Sequence, residues 1–593
     1  MPRAVAVRHG DVVPEQRATP GLLARAPWLP AVCIALAVAL HVGSLGDGLQ
    51  LDDRLYTRLI AAHLSGQPMD TRWYELAGVV NHGGAAGVAR NITAGQLPWW
   101  TDPEAGWAMF RPVAIVTHYA DMLLWPDAPQ LMHAHNLLWQ GVLLLSAWLL
   151  YRRLCSGPGV ALWALVLCGF AARNGEVVGW LATRNSVMMP AFAALALYCH
   201  DRARRDGWGP GRALSALCLL MSLWSSEGGV CVWGALLAHA LWVDRGAVRA
   251  RLIALVPMAA VTLAWLVHYR VAGFGARGGT LYVDPVGDPL GFAAVVPARM
   301  GQMLSHLLGL PTPTADAYPM VGATLAVVTA LSLLALSRVD RRLRMWLTSG
   351  VIALVPLCAA VPSDRMLLWP GLCLCAALGE ASVRLWSAEG RVAWLGRPLV
   401  ATWLVVHVLL GASLVPGSGS ARAQADGAIA TLAESLPPHT PGAPTRIVLN
   451  TPQTIPTLFA LLLSSDQFLA PGAHLLLGAS TEPVVLWRVA PHALRLRTEH
   501  GYLLEPGSRG YRRPDRPLRR GRHFAVGEAN LIVEEVTADG RPRSVLLSWP
   551  KAGRLEDAPV QWVAVVHDGR ALRSVAITLP AVGSALQLPL TMP

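Results

Sequence analysis

The sequence predicts an α-helical polytopic membrane protein with about 11 transmembrane helices and a C-terminal extramembrane β-rich, sandwich-like domain. Three observations lead to this fold class. Hydrophobic residues make up 53% of the chain, charged residues make up only 15%, and the mean hydropathy is +0.41. Apolar stretches near the length that crosses a bilayer recur from about residue 29 to about residue 415. From residue 416 the composition becomes polar and rich in Pro and Gly, with short alternating stretches typical of strands.

Arginine clusters between the apolar segments predict the orientation of the chain. Loops rich in Arg stay on the cytoplasmic side of a membrane, and such clusters occur in the N-terminal leader and at 152–153, 201–205, 244–251, 338–344 and 384–397. They predict a multi-pass membrane protein with a cytoplasmic N-terminus and with its C-terminal domain on the outer, periplasmic side. The clusters also explain the net charge of +12, so nucleic-acid binding is not predicted.

This topology divides the chain into four regions. Residues 1–28 form a cytoplasmic leader; a signal peptide is the alternative, but the residues after the first apolar segment are only a weak cleavage site. Residues 29–415 form the membrane domain, with an outward loop at 47–130 and an interfacial helix near 292–312. The predicted spans lie near 29–46, 131–151, 159–172, 186–200, 212–224, 229–243, 252–270, 320–337, 345–361, 366–382 and 397–415.

The remaining regions are a linker with a small α/β unit at 416–482 and a β-rich periplasmic domain at 483–593. In the first, residues 421–436 predict an amphipathic helix, and 446–450, 457–463 and 474–478 predict a strand, a helix and a strand. In the second, alternation predicts an antiparallel sandwich. Its strands are expected at 490–497, 523–526, 530–536, 543–549 and 560–566. Neither region shows a catalytic motif, so acceptor binding or assembly is the expected role.

The outward loops carry single charged residues beside Gly, Pro and Trp, whereas the inward loops carry plain Arg clusters. Charges at the ends of membrane helices are costly unless they face water or one another, which makes them functional candidates. These candidates are Asp52, Asp53, Arg111, Glu176, Arg184, Glu227, Arg277 and Arg365. The pattern predicts one polar cavity that opens at the outer surface.

Such a set of residues fits the transfer of a sugar from a lipid-linked donor. A carboxylate must take the proton of the acceptor hydroxyl, and cations must hold the phosphate leaving group. Asp52 or Asp53 can supply the carboxylate. The four arginines can supply the cations, because a guanidinium binds phosphate oxygens with two parallel hydrogen bonds.

Simpler interpretations compete at each position. The acidic pair could be a solvated turn or a helix cap, and Arg111 could extend to the membrane interface. Glu176 and Arg184 could form a structural ion pair. Glu227 could have the purely structural role of satisfying the backbone of a broken helix.

His133 and His135, with Asn136, resemble half of a metal site, but no further ligand stands at a zinc spacing. Hydrogen bonds between helices are the favoured interpretation of these residues. No metal site is predicted.

Taken in order, the outward motifs resemble those of a known family. They are Asp52-Asp53, Phe110-Arg-Pro112, His133-Ala-His-Asn136, Asn174-Gly-Glu176 through Trp180 to Arg184, Ser226-Glu227, and Asp364-Arg-Met-Leu-Leu-Trp-Pro370. Their order resembles the membrane portion of the GT-C glycosyltransferases, in particular the O-mannosyltransferases that carry tetratricopeptide repeats and their bacterial relatives. The match covers about residues 29 to 385. Three positions depart from the family pattern: Arg173-Asn174 replaces His-Pro, Ser226 replaces a lysine, and Trp369 stands near the usual tyrosine.

The resemblance implies a GT-C-like fold and Asp52 as the base, with Asp53 supporting it. From their chemistry and their place in the outward loops, we expect the site for the donor phosphate and substrate to be lined by Arg111, Arg184, Arg365, Glu176, Glu227, His135 and Arg277. The expected location is a bacterial inner membrane. The implied partners are a polyprenyl-phosphate sugar donor, membrane lipid and a periplasmic acceptor, either a protein or a glycan. No cofactor is implied, and many members need no metal. A non-catalytic scaffold for envelope assembly and, less favoured, a transporter are the alternative functions.

Overall fold

The computed structural model describes residues 26–67, 72–80, 84–437, 444–464 and 474–589. The predicted leader 1–28 therefore lies almost wholly outside the described residues. Among these, four helical segments are long and apolar enough to cross a membrane: Leu29–Gly46, Val248–Val271, Pro319–Ser337 and Gly390–Ser435. A pair bent by 62°, Pro158–Gly169 with Arg173–Gly179, would be a fifth span. The chain is thus a multi-pass membrane protein, while the number of about 11 spans stays a prediction.

Every segment that the sequence marks as a span contains a helix. The helices of the membrane part are α1 (Leu29–Ala39), α2 (Asp52–Leu64), α3 (Gly84–Thr93), α4 (Pro112–Leu124), α5 (Pro129–Leu154), α6 (Pro158–Gly169), α7 (Arg173–Gly179), α8 (Arg184–Arg205), α9 (Gly211–Ser225), α10 (Val232–Trp242), α11 (Val248–Val271), α12 (Pro289–Leu308), α13 (Thr312–Ala317), α14 (Pro319–Ser337), α15 (Arg341–Leu357), α16 (Leu368–Trp386) and α17 (Gly390–Leu404). Several begin with Pro in the first turn, where the missing N–H costs nothing.

Apolar side chains form both the interior and much of the outer surface of the membrane part. One continuous hydrophobic core contains the fully buried Trp346, Trp369 and Trp403. On the outside, α11 leaves residues such as Leu263 and Val267 exposed. Exposed apolar rows on long helices are what a lipid-facing surface requires.

The loop 47–130, predicted to lie outward, contacts the segment that contains Gly275–Arg277. Strands β1 (Gly78–Val80), β2 (Gly106–Ala108) and β3 (Gly275–Arg277) form a small antiparallel sheet in the order β1-β2-β3. This sheet joins residues that are far apart in sequence. The predicted interfacial helix near 292–312 is present as α12, whose first turn is capped by Asp288 accepting the Gly291 N–H at 2.9 Å.

The last membrane helix does not end near residue 415, where the sequence marks the domain boundary. A π-helical turn (Val405–Leu410) joins α17 to α18 (Gly411–Ser435), so one helical segment runs from residue 390 to residue 435. The predicted amphipathic helix at 421–436 is the end of this segment. The π turn keeps the backbone hydrogen-bonded through the change to polar composition, and therefore the helix continues into the C-terminal region.

The C-terminal region contains the predicted strand–helix–strand unit as β4 (Thr445–Val448), α19 (Thr454–Leu463) and β5 (His474–Leu476). It continues with β6 (Val484–Ala490), β7 (Ala493–Thr498), α20 (Pro506–Arg509), β8 (His523–Val526), β9 (Ala529–Val536), β10 (Pro542–Ser548), β11 (Val560–His567), β12 (Leu572–Ala576) and β13 (Ala585–Gln587). Six of the strands form an antiparallel sheet in the order β13-β6-β7-β10-β9-β8.

The other sheet differs from the predicted organisation. Its order is β12-β11-β4-β5, and β4 pairs in parallel with both β5 and β11. The sheet therefore crosses the boundary placed at 482–483, and the region is not a purely antiparallel sandwich. The reason is that β4 is buried along most of its length, so its backbone needs a partner strand on each side.

Part of the outward loop 47–130 belongs to the same hydrophobic core as these sheets. Trp99 and Trp100 are fully buried there, and the Trp99 indole N–H donates to the Leu477 carbonyl at 2.9 Å. The Arg512 guanidinium donates to the Trp100 carbonyl at 2.6 Å. The C-terminal region is thus packed onto the loop that carries the acidic pair.

Candidate active site in the outward cleft

The acidic pair occupies the first turn of α2. Carboxylates are favoured there because the helix dipole places partial positive charge at the N-terminus. Asp53 is 2% exposed and accepts hydrogen bonds from the Gln50 N–H at 3.1 Å and the Ala182 N–H at 2.7 Å. Burial raises the pKa of Asp53 to about 7, although both N–H groups act to lower it. Asp53 thus ties the start of α2 to the turn that precedes α8.

Asp52 differs from Asp53 because its carboxylate is not bound by another protein group among the described residues. It is only partly buried, and among the described residues it forms no hydrogen bond or ion pair. Burial raises the pKa of Asp52, while the charge of Arg365 acts to lower it. A carboxylate with these properties is available to take a proton from a bound molecule.

Arg365 lies in a short 3-10 turn (Asp364–Met366). Its Nε is buried without a hydrogen-bond partner, and the guanidinium forms no ion pair within the described part of the chain. Its charge acts on both Asp52 and Glu176. The Glu176 carboxylate likewise has no hydrogen bond or ion pair to the residues that the structure describes. Arg365 therefore lies within electrostatic reach of both Asp52 and Glu176, and these three predicted site residues form no ion pair within the described residues.

Arg111 and Glu227 form a second group at the same cleft. Arg111 donates from Nε to Glu227 Oε2 at 2.9 Å and brings Nη2 to the same oxygen at 2.9 Å, while the Phe110 N–H donates to Oε1 at 3.2 Å. Both side chains keep about a fifth of their surface exposed. Tyr56, one turn after Asp52, lies within electrostatic reach of Arg111, Glu227 and both aspartates. This pair is therefore close to the acidic pair.

Arg184 and His135 lie deeper and are held by other protein groups. Arg184 is 0% exposed; its Nη2 lies 2.6 Å from Asp121 Oδ2 and donates to the Met132 carbonyl at 3.1 Å, while Nε donates to Asn136 Oδ1. His135 Nδ1 lies 2.7 Å from Asp121 Oδ1. The predicted structural partner of Arg184 was Glu176, and this is wrong: the partner is Asp121, because α4 brings Asp121 to the start of α8.

The histidine-bearing segment at the start of α5 forms the predicted hydrogen bonds between elements. His133 Nε2 lies 2.8 Å from the Gly48 carbonyl, and the Asn136 amide donates to the carbonyls of Val178 and Trp180 at 3.1 and 3.2 Å. In the described ranges no group of three or more His, Cys, Asp or Glu side chains is arranged to hold a metal ion.

Arg277 lies in a different environment from the other candidates. It is an exposed residue of β3, where it pairs with Gly106 and its Nε would lie 3.1 Å from a Cβ at that glycine. The side chain therefore packs over a flat part of the small sheet, and a Cβ on Gly106 would crowd it. Arg277 stays a predicted ligand of the donor phosphate.

Three residues that matter for this geometry were not among the sequence candidates. Asp121 could have been noticed as a lone acid in an apolar helix, which needs a partner. Arg422 and Asp426 lie in a region read as a linker, and their contacts with residues near Asp52 join positions more than 370 apart in sequence. A single sequence carries no signal for such contacts.

No protein-family model and no curated protein matches the sequence. Several solved structures are similar to this one at low identity. ArnT from Cupriavidus metallidurans bound to undecaprenyl phosphate is 13% identical with a TM-score of 0.39, over 73% of this chain and 85% of that chain. The oligosaccharyltransferase of Archaeoglobus fulgidus is 11% identical with a TM-score of 0.44, over 76% of this chain and 65% of that one.

The mycobacterial arabinofuranosyltransferase AftD is 16% identical with a TM-score of 0.34, over 72% of this chain and 31% of that chain. This chain thus spans less than two thirds of the oligosaccharyltransferase and of AftD. At these identities and TM-scores the likeness carries no conclusion about activity or ligands. The solved structures that this chain is similar to are GT-C membrane glycosyltransferases, the superfamily that the order of its motifs resembles.

Proposed function

We propose that this chain is a membrane glycosyltransferase that moves a sugar from a polyprenyl-phosphate donor to an acceptor at the periplasmic face of a bacterial inner membrane. The observation that carries this proposal is that Asp52 and Arg365 lie within electrostatic reach of each other. Each charged group is free of other partners in the described residues, and each has the chemistry that one half of the reaction needs.

In the proposed reaction, Asp52 takes the proton of the acceptor hydroxyl as that oxygen attacks the anomeric carbon of the sugar. The bond between this carbon and the phosphate oxygen breaks, and polyprenyl phosphate leaves with the bonding electrons. Attack from the face opposite to the leaving group inverts the anomeric centre. Burial raises the pKa of Asp52, which makes the carboxylate a better base near neutral pH.

Arg365 is the proposed ligand of the departing phosphate, because its guanidinium can bind two oxygens and stays charged. Arg111 is the second proposed ligand, and its fixed contact with Glu227 presents the remaining N–H groups to the cleft. Arg184 was a candidate for the same role. Since its three nitrogens are engaged by protein groups and the side chain is 0% exposed, we assign it instead to holding α4, α5 and α8 together.

The test uses the purified full chain in detergent with a panel of undecaprenyl-phosphate sugars and a cell-envelope extract as the source of acceptor. The readout is release of free undecaprenyl phosphate. Asp52→Asn is expected to lower the rate by about 100-fold to 10,000-fold, the usual contribution of a general base. Asp127→Asn is the matched control, because Asp127 is an exposed acid in the same outward loop. Equal release by wild type and Asp52→Asn would contradict the proposal.

A further inference from the structure

The residue before Asp52 has an unusual backbone conformation. Leu51 has φ 46° and ψ −118°, a region that glycine adopts easily and that other residues avoid. Only one other non-glycine residue of the described ranges, Leu503, has positive φ. Such strain persists only where surrounding contacts hold it, and it is found at functional sites. Because Leu51 directly precedes the helix that begins with Asp52, its conformation sets the direction in which the Asp52 carboxylate points.

Asp426 of α18 holds this strained turn. The Leu51 N–H donates to Asp426 Oδ1 at 3.0 Å, and Arg54 donates from Nη2 to Oδ2 at 2.7 Å. Asp426 is 8% exposed, whereas the Arg54 side chain keeps 38% of its surface exposed, so the two contacts are partly buried. One carboxylate thus binds the residues on both sides of the acidic pair.

Arg422 lies one helical turn earlier on the same face of α18. Its Nε donates to Gln50 Oε1 at 3.2 Å, and its Nη1 donates to the Glu176 carbonyl at 3.2 Å. Its Nη2 lies 3.5 Å from Asp47 Oδ2. Arg422 therefore connects the residues before Asp52 to the backbone of Glu176, on the other side of the cleft.

We infer that Asp426 and Arg422 are positioning residues for the transfer reaction, and that α18 holds Asp52 in its working orientation by fixing the strained turn at Leu51. This inference rests on the proposed function. The two residues touch neither substrate nor the reacting atoms; they act through Leu51, Arg54 and Gln50. Since α18 continues the last membrane helix and leads into the C-terminal sheets, the position of the base depends on the part of the chain that follows the membrane domain.

Removal of the Asp426 contacts with Leu51 and Arg54 is expected to lower turnover more than donor binding. In Asp426→Ala the turn at Leu51 can relax, and misplacement of a catalytic group by about 1 Å can cost on the order of 100-fold in rate. We expect kcat to fall by about that factor while the KM for the undecaprenyl-phosphate sugar changes little, because Arg365 and Arg111 are untouched. Glu434→Ala is the matched control, since Glu434 is an exposed acid on the same helix.

A pair of substitutions at Leu51 separates positioning from general loss of structure. Leu51→Gly and Leu51→Ala both remove the packing of the leucine side chain, but only glycine adopts positive φ without strain. In the Asp426→Ala background, the Leu51→Gly variant is expected to recover at least about tenfold in kcat over the Leu51→Ala variant, in keeping with the cost of such strain. A protein that had merely lost structure would show no such difference.

Thermal unfolding, which does not depend on activity, also tests whether Asp426 holds the turn at Leu51. With Asp426 in place, Leu51→Gly is expected to unfold at a higher temperature than Leu51→Ala. Positive φ at position 51 is strained for alanine but not for glycine. Two outcomes would overturn the inference, provided that Asp52→Asn has lost activity. One is a wild-type kcat in Asp426→Ala, and the other is an equal kcat in the two double variants. Equal unfolding temperatures would also overturn it, whatever the reaction. Full activity of Asp52→Asn would overturn the base assignment, and with it the positioning role.

Discussion

Asp52 and Arg365 lie within electrostatic reach of each other, and neither forms an ion pair within the described residues. The charge of Arg365 acts on Asp52, yet the two groups do not neutralise each other by direct contact. A closed ion pair would leave neither group free for a ligand. An open arrangement leaves the carboxylate to take a proton and the guanidinium to bind an anion at the same time.

The first prediction concerns Arg365. Arg365→Gln removes the charge that we assign to the donor phosphate, and we expect undecaprenyl phosphate to bind at least about tenfold more weakly, as loss of a charge-assisted contact of about 1.5 to 3 kcal/mol implies. Binding is measured with the purified chain by quenching of its tryptophan fluorescence. Arg391→Gln, at an exposed arginine on α17, should bind as wild type does. Unchanged affinity of Arg365→Gln would remove this residue from the phosphate site.

The second prediction concerns the pH dependence of stability at Asp53. Its pKa is raised from 3.8 to about 7 in the folded protein by burial. The folded state therefore binds the proton more tightly, so the stabilisation is fully present below about pH 4 and is lost as pH rises through about 7. Asp53→Asn cannot titrate. The unfolding temperature of wild type minus that of the variant should fall from about pH 4 to about pH 7 and then level off. A difference that does not vary with pH would contradict the raised pKa.

The third prediction concerns the buried pair of Arg184 and Asp121. Arg184→Met leaves the Asp121 carboxylate buried without its cation, which should cost about 3 to 5 kcal/mol of unfolding free energy. The double variant Arg184→Met/Asp121→Leu should be clearly more stable than the single one, because no charge is left buried. Thermal unfolding in detergent measures both. A single variant with wild-type stability would show that Arg184 does not hold the helices together and would return it to the phosphate candidates.

The fourth prediction concerns Glu227, which orients Arg111. Glu227→Gln removes the charge that Arg111 contacts at 2.9 Å from two nitrogens. We expect a loss of about 1.5 to 3 kcal/mol of unfolding free energy, since hydrogen bonds to charged groups contribute in that range. Donor affinity should fall as well, because Arg111 loses its fixed direction. Glu389→Gln, at an exposed acid before α17, is the control and should change neither quantity.

The alternation of apolar segments and Arg clusters predicted where helices form, and each marked segment contains one. The acidic pair, Arg365 and Glu176 were site candidates from the sequence, because charges at the ends of membrane helices are costly unless they face water or one another. Their roles stay predictions. The sequence did not predict which of these charged side chains are buried. Arg184 and Arg365 look alike in sequence, yet one is enclosed by Asp121 and Asn136 while the other remains free.

The sequence by itself determined the membrane character, the positions of the helices and the set of charged residues beside them, since these follow from local composition and its period. Only the tertiary structure decided which charges are paired, that β11 joins β4 across the expected boundary, and that Asp426 clamps Leu51 from 375 residues away. These are contacts between distant segments. They depend on how helices and strands pack together, and local composition carries no record of that packing.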